Sequence, residues 1–173
     1  MSDTRSKWLE MVLKYKLNPD KAGSATVWCP DLEQVPRQRL REIQGEKLAA
    51  AFSYLYERSP FYNEIFTKAG LHPGDIASVH DLHKIPITTK HDWLKDQANN
   101  PPWGTFSPLS QDRWTTEGWM MFATSGTTTN LPRVFRHTKH DRDMWAWLGA
   151  RAYWAMGVRP GDNVLAKDLE NVL

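Results

Sequence analysis

The chain has 173 residues, the length of one domain, with 22 basic against 20 acidic side chains and a formal net charge of +2. That near-balance argues against a dedicated nucleic-acid binder, which concentrates basic charge on one face. No run reaches the roughly 18 consecutive apolar residues of a membrane-spanning helix, Met1 to Glu10 lacks the apolar core of a secretory signal, and the single cysteine, Cys29, permits no intramolecular disulfide, so a cytoplasmic protein without a membrane partner is expected.

Residues 1–30 read as a poorly defined N-terminal extension. Trp8 to Leu17 carries a weak amphipathic helix pattern that Asn18-Pro19 stops. Asp31 opens a helix with Pro36 in its first turn, where a missing N–H costs little. Leu40, Ile43, Leu48, Ala51, Phe52 and Leu55 recur at helical spacing as its apolar face. Ser59 caps a second helix with Pro60 at its first position and Gly70 past its end. A short helix is expected near Ser78 to His83, and Thr89 caps another that runs to about Asp96. Asn99 to Gly104 is a loop, and the chain stays extended to Gln111.

Trp119 to Ala123 reads as a buried strand and Arg133 to Thr138 as a second. Between them lies Thr124-Ser-Gly-Thr-Thr-Thr-Asn-Leu-Pro132. A loop so rich in hydroxyls offers O–H and backbone N–H donors to an anion, and Gly126 permits close backbone approach. The residue types point to a phosphate cradle. Thr138-Lys-His-Asp141 has the form of a capping box with Asp in place of Glu. It opens a helix whose apolar side is Met144, Trp145, Leu148, Ala152, Ala155 and Met156, with Trp147 and Trp154 off its centre. Gly157 stops that helix, and Asn163 to Ala166 begins a third strand. The fold class is therefore α/β, a helical N-terminal region followed by the start of a large α/β sheet domain. His137 and His140 stand three apart but lack a Cys or carboxylate cluster beyond Asp141 and Asp143, so they read as helix-entry residues and no metal site is assigned.

The loop lacks the spacing of the common Gly-x-x-x-x-Gly-Lys-Ser/Thr phosphate loop. It resembles the Ser/Thr/Gly-rich phosphate loop of the adenylate-forming acyl-CoA ligases, most closely the phenylacetate-CoA ligase branch, whose loop reads Ser-Ser-Gly-Thr-Thr-Gly-Lys-Pro. Three further segments resemble that family in the same order: Ser59-Pro-Phe-Tyr62, Leu82 to Lys90 ending in Ile-Thr-Thr-Lys, and Gly157-Val-Arg-Pro-Gly-Asp162. Together they span about residues 31–165. Two departures stand out. Thr129 replaces the glycine after the paired threonines, and Asn130-Leu131 replaces the lysine, lengthening the loop by one residue and removing a positive charge.

The resemblance implies an ATP-dependent ligase that converts a carboxylic acid, of aryl or arylacetic type, to an acyl-adenylate and then to a coenzyme A thioester. The loop residues Thr124, Ser125, Gly126, Thr127, Thr128 and Thr129 would hold the phosphates of ATP, with Mg2+ offsetting their charge and Arg133 and Lys139 as auxiliary contacts. No residue is assigned a catalytic role. Lys90 reads as a capping and surface residue. The family's adenine, ribose and acidic magnesium contacts and its C-terminal lysine domain have no counterpart here. The chain from 31 to 173 is thus expected to be a partial, truncated N-terminal domain, inactive alone, whose remainder is encoded separately or lost. Two alternatives from other classes are a non-catalytic phosphate- or nucleotide-binding module and an interaction subunit that docks on such a remainder.

Overall fold

The computed structural model describes residues 3–16, 26–124 and 133–164. In chain order these form α1 (Thr4–Lys14), α2 (Pro30–Glu33), α3 (Arg37–Arg58), α4 (Pro60–Lys68), a 3-10 helix (Val79–Lys84), α5 (Lys90–Asn99), α6 (Gln111–Glu117), β1 (Met120–Ala123), β2 (Val134–His137) and α7 (Lys139–Ala155). The fold is a helical assembly with one small antiparallel sheet.

Three expected helix starts are present, each for the anticipated reason. Ser59 Oγ accepts from Tyr62 N at the head of α4. Thr89 and Asp92 form a reciprocal capping box on α5, and Thr138 and Asp141 do the same on α7. A third capping box, Ser78 with Asp81, opens the 3-10 helix.

The expected single helix from Asp31 is instead two. α2 is one turn, and α3 begins at Arg37 with Pro36 as its extended N-cap residue. Proline disfavours the α region for the residue before it, so Val35 cannot continue the turn. α1 lies three to four residues earlier than its apolar pattern indicated, and it packs along α3. Arg5 donates to both carboxylate oxygens of Glu117 at 2.7 Å, and Arg58 reaches Asp3 at 2.6 Å. α6 begins at Gln111, where the stretch read as extended ends, and fills residues that the sequence reading left unassigned before the first strand.

The main core is built on α3 and α4. Phe52, Phe66, Leu71 and Ile76 are its buried centre, with Leu48, Leu55, Tyr62 and Ile85 packed around them. Gly45 lets α3 approach the Ser78 turn: a Cβ there would lie 3.3 Å from Ser78 Cα. A second cluster joins Trp28 and Cys29 to Leu32, Trp147, Ala150 and Trp154. So α7 buries the side carrying Trp147 and Trp154. The side expected to be buried is open: Trp145, Leu148 and Met156 are 52%, 59% and 68% exposed. Both sides of this helix are apolar, and among the described residues the 26–33 segment packs on one while the hairpin touches the other only at Trp145.

β1 and β2 pair with each other alone among the described residues, in the register Met120 with His137 through Ala123 with Val134. Asn163 and Val164 are not in a strand, and the rest of the expected third strand lies outside the described residues.

Candidate functional site

The hydroxyl-rich sequence of residues 124–132 joins the two paired strands. Thr124 follows β1 and Arg133 precedes β2, and the two close the neck reciprocally. Thr124 N–H donates to the Arg133 carbonyl at 3.0 Å, and Arg133 N–H donates to Thr124 Oγ1 at 3.0 Å. Of the expected cradle residues, Thr124 is thus placed, at the root of the loop. Ser125, Gly126, Thr127, Thr128 and Thr129 lie outside the described residues.

Helix α5 supports this neck. Its start is fixed by the Thr89 box: Thr89 Oγ1 and N–H donate to Asp92 Oδ2 at 2.7 and 2.8 Å, holding the Asp92 carboxyl below its ordinary pKa. One turn later, the largely buried Asp96 accepts from Thr105 N at 2.6 Å, Thr105 Oγ1 at 2.8 Å and Asn100 Nδ2 at 3.0 Å. These bonds fold the 100–106 segment back on the helix and bring Phe106 against Trp93, ring centroids 5.7 Å apart. Ser59 adds a second tie, donating to the Thr105 and Phe106 carbonyls at 3.1 and 2.9 Å.

On this platform Trp93 meets the hairpin. The Arg133 guanidinium lies 4.7 Å from the Trp93 ring centroid and 4.2 Å from that of Phe135. Gln97 Oε1 accepts from Val134 N at 3.5 Å. Lys139, the other basic residue expected near the phosphates, is the first residue of α7. It is largely exposed, with Nζ 3.5 Å from Asp143.

Two further groupings escaped the sequence reading. Phe122, His137 and Trp145 form an aromatic contact between the hairpin and α7, with centroids 4.7–5.2 Å apart. The Arg136 guanidinium sits among Trp103 and Trp114, each 4.4 Å away, and Trp119 at 5.7 Å, while Nη1 donates to Gln111 Oε1 at 3.0 Å. Burial lowers the Arg136 pKa. The only sequence signal for this cage was the number of tryptophans, which says nothing of convergence. Among the described residues no group of three or more His, Cys, Asp or Glu side chains is placed to hold a metal ion, and no helix is long and apolar enough to cross a membrane.

No family model matches the chain. It is 39% identical over 132 residues to the phenylacetate-coenzyme A ligase of Thermus thermophilus, covering 76% of this chain and 27% of that protein. It is 36% identical over 155 residues to the phenylacetate-coenzyme A ligase of Escherichia coli, covering 89% of this chain and 30% of that protein. Among solved structures, 2-hydroxyisobutyryl-CoA ligase in the postadenylation state, in complex with 2-HIB-AMP, superposes with a TM-score of 0.73 at 29% identity, covering 90% of this chain and 31% of that chain. An open conformation of the same ligase, in complex with 2-HIB-AMP and CoA, also gives a TM-score of 0.73 and is 34% covered. The chain therefore spans less than a third of the length of these curated relatives. In sequence and in fold it belongs with the adenylate-forming acyl-CoA ligases of the phenylacetate-CoA ligase-like family, as the N-terminal part of such an enzyme.

Proposed function

We propose that the chain is the phosphate-binding N-terminal part of an ATP-dependent acid–thiol ligase, which joins a carboxylate to AMP with release of pyrophosphate and then forms a coenzyme A thioester. The observation that carries this is the hairpin whose neck Thr124 and Arg133 close around a loop of hydroxylated residues. ATP supplies the phosphorus that the acid attacks. The chain's own task is to bind and orient: the Thr124, Ser125, Thr127 and Thr128 hydroxyls and the loop N–H groups donate to the phosphates, Gly126 allows close approach, and Thr129 continues the cradle. With no protein cage for a metal among the described residues, Mg2+ would ride on the phosphate oxygens, as it commonly does with nucleotides. The names of the relatives favour an aryl or arylacetic acid as substrate. In this reading the isolated chain binds ATP without turning it over.

ATP–pyrophosphate exchange with aryl and arylacetic acids, together with ATP calorimetry, tests this. No exchange is expected, and binding heat should vanish in the Ser125→Ala, Thr127→Ala double variant. Measurable exchange overturns the inactivity, and heat that survives the double change moves the site away from the loop.

The open side of α7 favours a second role for the same piece. Leu148 and Met156, with the part of Trp145 that the hairpin leaves open, recur at helical spacing on a largely exposed face. The rest of a ligase, carried separately or in continuation, is the occupant that the partial coverage of the relatives supports. Co-expression with such a remainder should yield a complex that Leu148→Lys abolishes. Recovery of the variant complex in wild-type amount would dismiss this face.

A further inference from the structure

A cavity of about 340 Å3 lies between α1, α6 and the junction of β2 with α7. Trp8, Leu9 and Val12 of α1 and Met144 of α7 give it apolar walls, and Trp114 of α6 and His137 of β2 complete it. Trp114 is 3% exposed, and the Arg136 guanidinium lies over its ring. Its indole N–H is buried with no hydrogen-bond partner among the described residues. His137 Nδ1 is likewise buried without one, on a ring set among Phe122, Phe135 and Trp145. Buried polar groups are nearly always satisfied, because an unmet one is costly. Two such atoms on residues of one cavity wall call for a bound molecule that supplies their partner. Water is a poor occupant, since the wall is mostly apolar and a buried water needs roughly two to four polar partners.

Size and charge narrow the occupant. An apolar cavity of about 150 Å3 holds benzene, so this one has room for two fused rings. Both arginines on the wall are engaged: Arg5 donates to both carboxylate oxygens of Glu117, and Arg136 stacks on the tryptophans and donates to Gln111. The Asp141 carboxylate also lines the cavity, held by Thr138 N and Oγ1. An anion entering here would therefore lose its hydration and meet a carboxylate in return. We infer that this cavity binds a neutral aromatic compound of two fused rings carrying a hydrogen-bond acceptor, which takes the Trp114 N–H, with His137 as the second polar point. The site is separate from the loop at residues 124–132 and does not rest on the phosphate-binding reading. Its ligand is uncharged, unlike the carboxylic acid proposed above as substrate.

The test is calorimetry on the full 173-residue chain at pH 8, where an ordinary histidine is neutral. The probes are quinoline, naphthalene and 2-naphthoate, which share one ring system and differ in bearing a neutral acceptor, none, or a charge. Quinoline should bind saturably at one site, naphthalene about three- to tenfold more weakly, the effect of one neutral hydrogen bond, and 2-naphthoate more weakly still. Trp114→Phe keeps a ring and removes the N–H, so it should bring quinoline down to the level of naphthalene and leave naphthalene itself little changed. Leu9→Trp should fill the cavity and abolish binding of both with the helical signal in circular dichroism intact. No saturable binding of quinoline overturns the inference. So does naphthalene binding as tightly as quinoline, 2-naphthoate binding more tightly than either, or Trp114→Phe leaving the difference between quinoline and naphthalene in place. Should either variant fail to fold, the comparison of the three probes on the wild type still decides.

Discussion

Ser59→Ala probes how the helical half is fastened to the platform under the hairpin. Ser59 is only 1% exposed, and its hydroxyl has two tasks. It accepts from Tyr62 N at 3.3 Å as the cap of α4, and it donates toward the Thr105 and Phe106 carbonyls at 3.1 and 2.9 Å. Losing an N-cap of this type costs about 1 kcal/mol. Leaving a buried carbonyl without its donor adds about 1–2 kcal/mol. The sum, about 2–3 kcal/mol, corresponds to a fall in Tm of about 4–12 °C for a domain of this size. Ser110→Ala is the matched control: Ser110 is also an N-cap residue, of α6, but its side chain makes no capping bond. It should change stability by no more than about 0.5 kcal/mol. Urea unfolding followed by circular dichroism measures both at once. A Ser59→Ala midpoint equal to that of Ser110→Ala, at unchanged slope, would refute the double role.

Three other outcomes are expected. Gly104→Ala should destabilise by about 1–3 kcal/mol, because Gly104 has φ +70° and a Cβ there would lie 2.6 Å from Asp96 Oδ2 and 3.0 Å from the Phe106 ring; thermal melts check this. Arg136→Ala should cost about 1–2 kcal/mol through lost cation–π contacts and alter the tryptophan emission of its cage; an unchanged spectrum would contradict the packing. Asp81 is held well below the usual carboxylate range, first by Lys84 at 2.6 Å and then by the Ala77 and Ser78 N–H groups, and Asp92 is held down by Thr89. A depressed folded-state pKa stabilises above the unfolded value near pH 4, and that contribution is lost as pH falls through the folded value. Stability should therefore drop below about pH 4, less steeply in Asp81→Asn, as an acid titration of the unfolding midpoint would show.

What was legible in the sequence was mostly local chemistry. Ser59, Thr89 and Thr138 announce helix starts because the capping side chain and the N–H it accepts from lie within three residues of each other. The strand–loop–strand unit was equally plain, since two apolar runs flank a stretch that fits neither period. α6 was missed because Gln111 to Glu117 holds a single large apolar residue, Trp114, so no periodicity marks it. The side of α7 that is buried was misjudged for a different reason. Both of its sides are apolar, and only the position of Trp28 and Cys29, more than a hundred residues earlier, selects Trp147 and Trp154. The Arg136 cage is likewise a product of long-range convergence. At the site, the loop motif identified the place, whereas the Trp93–Arg133–Phe135 stack that supports it left no contiguous trace.

The hairpin has a consequence for how this chain behaves at high concentration. Each of its two strands has a strand partner on one side only among the described residues, and the outer edge of β2 is met by Gln97, which accepts from Val134 N, whereas no such contact is seen on β1. β1 is Met-Met-Phe-Ala, with no charge and no proline to discourage a visitor. A second molecule can extend such a ribbon edge to edge without altering its own fold. An uncharged edge of this kind is where self-association would be expected to begin if the chain is concentrated.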